Sequence, residues 1–333
     1  MDAMVSILIP AFNAQDWIAD TIYSALAQTW SRKEIIVVDD GSADRTLAVA
    51  RQFESHGVRV VLQKQQGASA ARNNAFSLSK GDYIQWLDAD DLLAPDKIAR
   101  QMEVVKQCGS KRTLISAAWG RFAFRYHRAE FVPSDLWRDL PPNEWLLSKM
   151  AKNLFMQPAT WLVSRELTEA AGPWDAQMMT DDDGEYFCRV LMQSDGVRFV
   201  PEARVYYRMH GSNSLSYLGL SSPKLDSQFR SLQLHISYLL SLEDSERARA
   251  ACVTFMQNWM FYFYPERPDL VGRMREMAQG LGGQLEAPRL SWKYSWIKQL
   301  FGWKFAKRTR LFLPGVKRSL IKSWDKSLFR LGV

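Results

Sequence analysis

Cysteine is scarce in this chain, with only Cys108, Cys188 and Cys252 among 333 residues. They lie far apart and are odd in number, which excludes a disulfide framework and a thiolate metal cluster and fits a reducing compartment. Histidine is nearly as scarce, with four residues. No apolar run reaches the roughly 18 residues that a membrane span needs. The N-terminus has no basic n-region, and its apolar stretch, Val5 to Ile9, is too short for a signal peptide. These absences predict a cytoplasmic protein. A glycine-rich phosphate loop is missing after the first apolar run, where Pro10-Ala11-Phe12-Asn13-Ala14 stands instead. That excludes the P-loop and dinucleotide fingerprints. Acids are nearly missing from Ala287 to Val333, where twelve Lys/Arg face one carboxylate, Asp325. The net charge of +7 therefore sits in the tail, and the remainder is mildly acidic.

What is present is an alternation of strand-like and helical segments. Val5–Ile9 reads as a buried strand stopped by Pro10, and Trp17 to Leu26 recurs at helical spacing. Glu34–Val38 and Val58–Leu62 read as further strands, with a helix from Thr46 to Phe53 between them. Gly67–Leu78 is helical in pattern, and Tyr83–Leu87 is a near-continuous apolar run. This alternation over about 105 residues predicts an α/β fold with a doubly wound sheet. A strand is also expected at Leu114–Phe124 and another at Pro158–Ser164, with an irregular, Trp- and Pro-rich recognition region at 125–150 between them. Val197–Pro201 and Arg204–Tyr207 read as a final strand pair.

Carboxylates cluster where these strands end. Asp39 and Asp40 follow the second, and Asp88, Asp90 and Asp91 follow the fourth. In open α/β sheets, ligands bind at the carboxyl ends of the strands. Three acids in four positions repel unless a cation or donors neutralise them, and Mg²⁺ or Mn²⁺ is the natural partner for hard oxygen ligands. A helix start capped by Asp90 or Asp91 is the simpler alternative. Arg72 could add a phosphate contact or be a solvated helix arginine. A third acid run, Asp181-Asp182-Asp183, opens an amphipathic helix carrying Tyr186, Phe187, Val190 and Leu191. Three acids exceed what capping needs, and one of them could act as a general base. His210 ends the last strand beside a polar loop and is a candidate metal ligand.

These pieces, in this order, resemble glycosyltransferase family 2, inverting nucleotide-sugar transferases of the GT-A fold. The resemblance runs from Val5 to about Ser216. It rests on Ile9-Pro10-Ala11-Phe12-Asn13, Val38-Asp39-Asp40-Gly41-Ser42 with Asp44 and Thr46, and Gly67 through Arg72-Asn73. It continues through Gly81-Asp82-Tyr83-Ile84, Asp88-Ala89-Asp90-Asp91, Asp182-Asp183 with Arg189, and Tyr207-Arg208 with His210. It implies a doubly wound mixed sheet flanked by helices, with a catalytic domain over 1–220 and a helical, basic and aromatic extension over 221–333. It implies nucleotide binding by Pro10, Phe12, Asn13, Asp39, Asp40, Gly67, Arg72, Asp88 and Ala89. Metal binding falls to Asp90, Asp88 and His210, and the catalytic base to Asp183 or Asp182. The implied donor is a nucleoside-diphosphate sugar, uridine diphosphate being the family's commonest carrier, and the implied acceptor is a glycan or a lipid-linked hydroxyl. The chain departs from the family in having Asp-Asp where Glu-Asp is usual, which leaves the base open between Asp182 and Asp183, and Gln66 before Gly67.

In the tail, Trp292, Trp296, Phe301, Trp303 and Phe305 interleave with Lys293, Lys298, Lys304, Lys307 and Arg308. This pattern fits an interfacial helix on an anionic membrane, which implies peripheral placement on the inner face of the cell membrane. The competing reading is a basic helix packed on the catalytic domain. Nucleic-acid binding is disfavoured because no binding module accompanies the charge. A sugar nucleotidyltransferase would need a glycine-rich loop after the first strand. An inactive sugar- or lipid-binding scaffold would have lost acids that are all present here.

Overall fold

A computed structural model of the chain describes residues 2–209 and 221–331. The expected alternation appears as β1 (Val5–Ala11), α1 (Ile18–Leu26), β2 (Lys33–Asp39), α2 (Thr46–Arg51), β3 (Val58–Leu62), α3 (Ala68–Leu78) and β4 (Tyr83–Trp86). There follow β5 (Leu92–Leu93), α4 (Lys97–Cys108), β6 (Thr113–Phe122), β7 (Glu130–Phe131), α5 (Pro142–Lys152), β8 (Val163–Ser164), α6 (Arg165–Ala171), α7 (Asp182–Gln193) and β9 (Gly196–Arg208). The C-terminal region is α8 (Ser222–Leu242), α9 (Glu246–Phe263), α10 (Pro268–Gly280) and α11 (Trp292–Arg330).

The main sheet has the order β3-β2-β1-β4-β8. Its first four strands are parallel and β8 is antiparallel, so it is a mixed, doubly wound sheet. Every residue of β1 is buried, as expected for a central strand covered on both faces. The parallel register sets Ala11 beside Asp39 and Asp39 beside Leu62, while Leu8 lies beside Trp86. The acids after β2 and β4 thereby emerge on one edge of the sheet. A second sheet has the order β5-β9-β6-β7, and pairing of Leu92 with Tyr206 brings Arg208 against the Asp90-Asp91 turn.

Several sequence expectations change. The anticipated pair at 197–201 and 204–207 is one strand, β9, with a register shift opposite Ala117/Ala118 that accommodates Pro201. The anticipated strand at 158–164 keeps only β8, because Gln157 turns back to accept from the Ala159 amide and closes a single 3₁₀ turn at Pro158–Thr160. Region 125–150 is not wholly irregular. Pro142 lies in the first turn of α5, and Trp145, Leu146 and Met150 are buried on one face. No helix starts at Asp90 or Asp91, since β5 intervenes and α4 begins at Lys97.

The core is continuous from the strands into α8, α9 and α10. Burying a side chain such as Trp86, Leu232 or Phe255 contributes about 1.5–3 kcal/mol each. Among the described residues no helix is long and apolar enough to cross a membrane. Helix α11 is broken at Gly302 and docks at two points. Buried Lys307 donates to the carbonyls of Tyr262 and Tyr264, 2.8 Å each, and to Glu266. Asp325, the tail's one acid, accepts from the Phe124 amide at 2.8 Å and pairs with Arg125 at 2.7 Å. Trp292, Leu300, Phe312 and Trp324 remain exposed on the same helix. The tail therefore packs on the end of α9 and on the loop after β6, and still presents an apolar, basic face.

Replacing Asp325→Asn removes the charge from the second docking point and is expected to weaken it by about 1.5–3 kcal/mol. Hydrogen exchange across 319–331 should rise while global unfolding stays put; unchanged protection there would contradict the anchoring role.

Candidate active site

Two loops meet above the sheet edge. Asn13 adopts φ +48°, and its side-chain oxygen accepts from the Ala43 amide at 2.9 Å while its own amide donates to Ser42 at 3.0 Å. Asp44 accepts from the Thr46 amide at 2.9 Å, and Thr46 in turn accepts from the Ala14 amide at 2.7 Å. The turns after β1 and β2 are thus one stitched unit. Pro10 lies within β1, and Phe12 is left exposed beside it.

Asp39 and Asp40 separate in role. Asp39 accepts from the Ser42 amide through Oδ1 at 2.9 Å, and its Oδ2 is buried without a partner among the described residues. A buried, unpaired carboxylate oxygen costs free energy unless a donor reaches it. Asp40 is occupied on both oxygens. Oδ1 accepts from Gln63 and from the Gln66 amide, and Oδ2 from the Gly67 amide, 2.8 Å each. Gly67 stands at φ +96°, a conformation that a side chain would strain. Asp40 and Gly67 together turn the loop into α3.

Arg72 on α3 is neither solvated nor aimed at open space. It is buried, pairing with Asp88 at 2.9 Å and with Asp182 at 2.8 Å. Its guanidinium also lies 4.3 Å from the Trp174 ring centroid. Ser69, one turn earlier, donates to Asp182 at 3.1 Å. Asp88, raised by desolvation and by Asp90 and held down by Arg72, keeps a carboxyl above its usual range. Asp90 is half-buried, and buried Ala89 turns the chain between them. Asp91 belongs to the scaffold. Fully buried, it accepts from Gln157 and from the Arg208 amide, and desolvation pushes it well above the carboxylate range.

The three acids at α7 also diverge. Asp181 accepts from Ser231 on α8 and approaches His235 at 3.8 Å. Its folded-back side chain fills the space where a Cβ on residue 184 would sit, within 2.0 Å, so Gly184 is required. Asp182 is held by Arg72 and Ser69. Asp183, half-buried, has no hydrogen-bond partner among the described residues. Desolvation, then Asp182 and Asp181, push it up to about 7. Arg189 braces the helix, pairing with Glu185 at 2.7 Å and donating to the Pro173 carbonyl at 2.9 Å. A small void of about 30 Å³ between Asp183, Lys149, Trp145 and Trp161 has room for one water-sized group.

The structure thus gathers Asp39, Arg72, Asp88, Asp182 and Asp183 around one sheet edge. His210 lies outside the described residues. Among the described residues no three His, Cys, Asp or Glu side chains form a metal cluster. Asp88 and Asp90, two like-charged hard-oxygen donors, still match what Mg²⁺ or Mn²⁺ takes when ligand phosphates complete the shell. Sequence reasoning missed Ser69, Trp174 and Lys149. Only the Gly172-Pro173-Trp174 turn carried any signal.

Residues 6–169 match Glycosyl transferase family 2. An uncharacterized glycosyltransferase of Rickettsia typhi is 29% identical over 63% of the chain and 65% of its own length. The uncharacterized glycosyltransferase EpsJ of Bacillus subtilis is 28% identical over 65% of the chain and 64% of its own length. The chain thus spans slightly less than two thirds of either relative. Among solved structures, S. aureus TarS 1–349 in complex with UDP-GlcNAc superposes with TM-score 0.68 at 15% identity, over 84% of this chain and 81% of that one. That likeness shows a shared GT-A fold.

Substituting Arg72→Met leaves two half-buried carboxylates without their shared cation and should lower the unfolding free energy by about 3 kcal/mol at neutral pH. Near pH 4, about the ordinary carboxylate pKa, the loss should shrink because Asp88, raised above its usual range, is then protonated. Equal losses at the two pH values in denaturant titrations would refute the clamp.

Proposed function

Because the chain carries a glycosyl transferase family 2 domain over residues 6–169, we propose that it moves a sugar from a nucleoside-diphosphate donor to an acceptor hydroxyl with inversion. The observation that carries this reading is Arg72, which joins the acid after β4 to the acids at α7. One side of that bridge suits a diphosphate and the other suits a nucleophile.

On the donor side, the orphaned Asp39 oxygen suits the imide N–H of a pyrimidine base. Uridine diphosphate sugars are the favoured donors, in keeping with the UDP-GlcNAc held by the TarS structure. Phe12, exposed beside Asp39's loop, offers a face for the base. Asp40 and Gly67 act by shaping the loop around the nucleotide. Asp88 and Asp90, with His210, would hold Mg²⁺ or Mn²⁺, which when bound supplies positive charge to the departing diphosphate.

On the acceptor side, Asp183 is the base. Asp182 is already committed to Arg72 and Ser69, whereas Asp183 is unengaged and faces a void that admits one hydroxyl oxygen. The acceptor oxygen attacks the anomeric carbon in line with the leaving group. The carbon–oxygen bond to the diphosphate breaks, and Asp183 takes the hydroxyl proton. An acid raised to about 7 is well matched to that task near neutrality. The acceptor is a glycan or a lipid-linked hydroxyl. The basic, aromatic face of α11 supports peripheral contact with an anionic membrane on its inner face.

Thermal unfolding with nucleoside diphosphates, with and without Mn²⁺, tests the donor side through the mass-action rise in melting temperature. Uridine diphosphate should stabilise the wild type and fail to stabilise Asp39→Asn. Stabilisation by no nucleotide, with metal present, would remove the transferase reading.

Asp183→Asn should reduce turnover about 10²–10⁴-fold while leaving uridine diphosphate binding intact. Wild-type kcat/KM should rise with pH and level off above about 7. The stability effect has the opposite sign. Because the folded pKa lies above the unfolded one, this group's contribution is complete at low pH and disappears as pH rises through about 7. Asp183→Asn should therefore raise the melting temperature above neutrality and leave it unchanged in acid. A variant that keeps more than about a tenth of the turnover would shift the base to Asp182.

A further inference from the structure

On the other side of Arg208 from the Asp90-Asp91 turn lies a much larger space. Between α1, the β5–β9 edge and the last turns of α11 there is a cavity of about 940 Å³. None of Asp39, Asp88, Asp90 or Asp183 lines it. Its walls are mostly apolar, with Trp17, Tyr23, Leu92, Leu93, Phe124 and Phe329 among them. Its charged residues are Asp16, Asp20, Arg208, Lys322 and Lys326.

Part of that charge is balanced. Arg208 pairs with Asp20 at 3.2 Å, donates to the Asp90 carbonyl at 2.8 Å, and lies 4.5 Å from the Trp17 ring centroid. The two lysines have no such ion pair among the described residues. Lys322 Nζ lies 5.6 Å from the Trp17 ring centroid and 5.8 Å from that of Phe124, and Lys326 Nζ lies 5.6 Å from Phe124. Among the described residues neither lysine has a carboxylate within ion-pair distance. Burial, then Lys326 and Arg208, make the Lys322 ammonium easier to deprotonate, and Asp16 alone opposes this. Two ammonium groups over one ring, one turn apart on a helix, form an arrangement that an anion relieves. Ser319 and Ser323, spaced in the same way on α11, add hydroxyl donors at the cavity.

We propose that this cavity binds one molecule of anionic phospholipid, with an acyl chain among the aromatic walls and the phosphate against Lys322 and Lys326. The volume lies at the upper end of small-molecule sites. Apolar walls with cations at one place suit an amphiphile better than a sugar or nucleotide, whose hydroxyls need many polar partners. The source follows from continuity. Phe329 lines the cavity and is 55% exposed, and Trp324 and Phe312 extend the apolar surface along the same helix. That helix belongs to the segment holding twelve Lys/Arg and one acid, the combination that draws a surface to an anionic bilayer. The proposal goes beyond the donor-site reading and rests on the membrane reading only for where the lipid comes from.

Calorimetric titration of the full chain with dihexanoyl phosphatidylglycerol, kept below its micelle concentration, separates the cavity from general membrane adhesion. One lipid should bind per chain. Binding should weaken at least about tenfold, or 1.4 kcal/mol, in Ala27→Trp. That change fills the cavity from an exposed position at the end of α1 and alters no charge. Lys322→Glu with Lys326→Glu should weaken binding by a similar factor, and this second variant keeps the test open if the first misfolds. Undiminished binding by both variants would overturn the proposal. Equal affinity for chain-free glycerol phosphate would also overturn it, reducing the site to an anion contact. Tighter binding of geranyl phosphate than of the phospholipid would overturn it in favour of a lipid-linked substrate. Vesicle sedimentation, run in parallel, reports on the membrane reading alone.

Discussion

A buried guanidinium between two carboxylates is the constraint on which the site depends. Arg72 cannot lose its proton, so its burial depends on Asp88 and Asp182 pairing with it. The same pairs allow two acids to stand near Asp90 and Asp183 without mutual expulsion. The clamp rests on an aromatic floor. Trp174 lies under the guanidinium, stacks on Tyr186 with centroids 4.0 Å apart, and meets Trp86 edge-on at 5.3 Å. Since Trp86 ends β4 and Tyr186 belongs to α7, packing fixes the distance between the acids after β4 and those at α7. Preorganisation of this kind limits the reorganisation left for the reaction itself.

The sequence made the central sheet readable because β1, β2 and β3 are short β-branched runs, with Asp40 following β2 and Gly57 preceding β3, and local pattern suffices for these. It also showed that acids collect after β2, after β4 and before α7. It could not say which acids face a ligand. Asp39 and Asp40 are neighbours with the same side chain, yet one keeps an unpaired oxygen and the other closes a loop whose amides come from residues 66 and 67. Asp91 looked like part of a metal motif and is held by Gln157 and Arg208, from distant parts of the chain. Partners at such sequence separation leave no local periodicity, and the same applies to β9, whose interior Pro201 suggested two strands where a register shift permits one.

The tail shows the same limit from another side. Composition identified an aromatic and basic segment but left two fates, membrane or packing. The structure makes them compatible. Lys307 and Asp325 hold two points of α11 against the body, while Phe312 and Trp324 between them and Trp292 and Leu300 beyond them stay exposed. One acid among twelve cations would be negligible in any average over the segment. It matters because the Phe124 amide and the Arg125 side chain converge on it.

The run Asp181-Asp182-Asp183 carries this reasoning furthest. Three identical side chains at a helix start have nearly the same local propensity, so only tertiary partners can separate them. Asp181 turns back over Gly184 toward Ser231, and Asp182 turns toward Arg72. Desolvation, with Asp182 and Asp181 close by, pushes the third acid up to about 7. A carboxylate raised in this way costs folding stability in its ionised form. That cost falls on the one acid of the three left without a hydrogen-bond partner among the described residues, which is the side chain that the proposed reading makes the base.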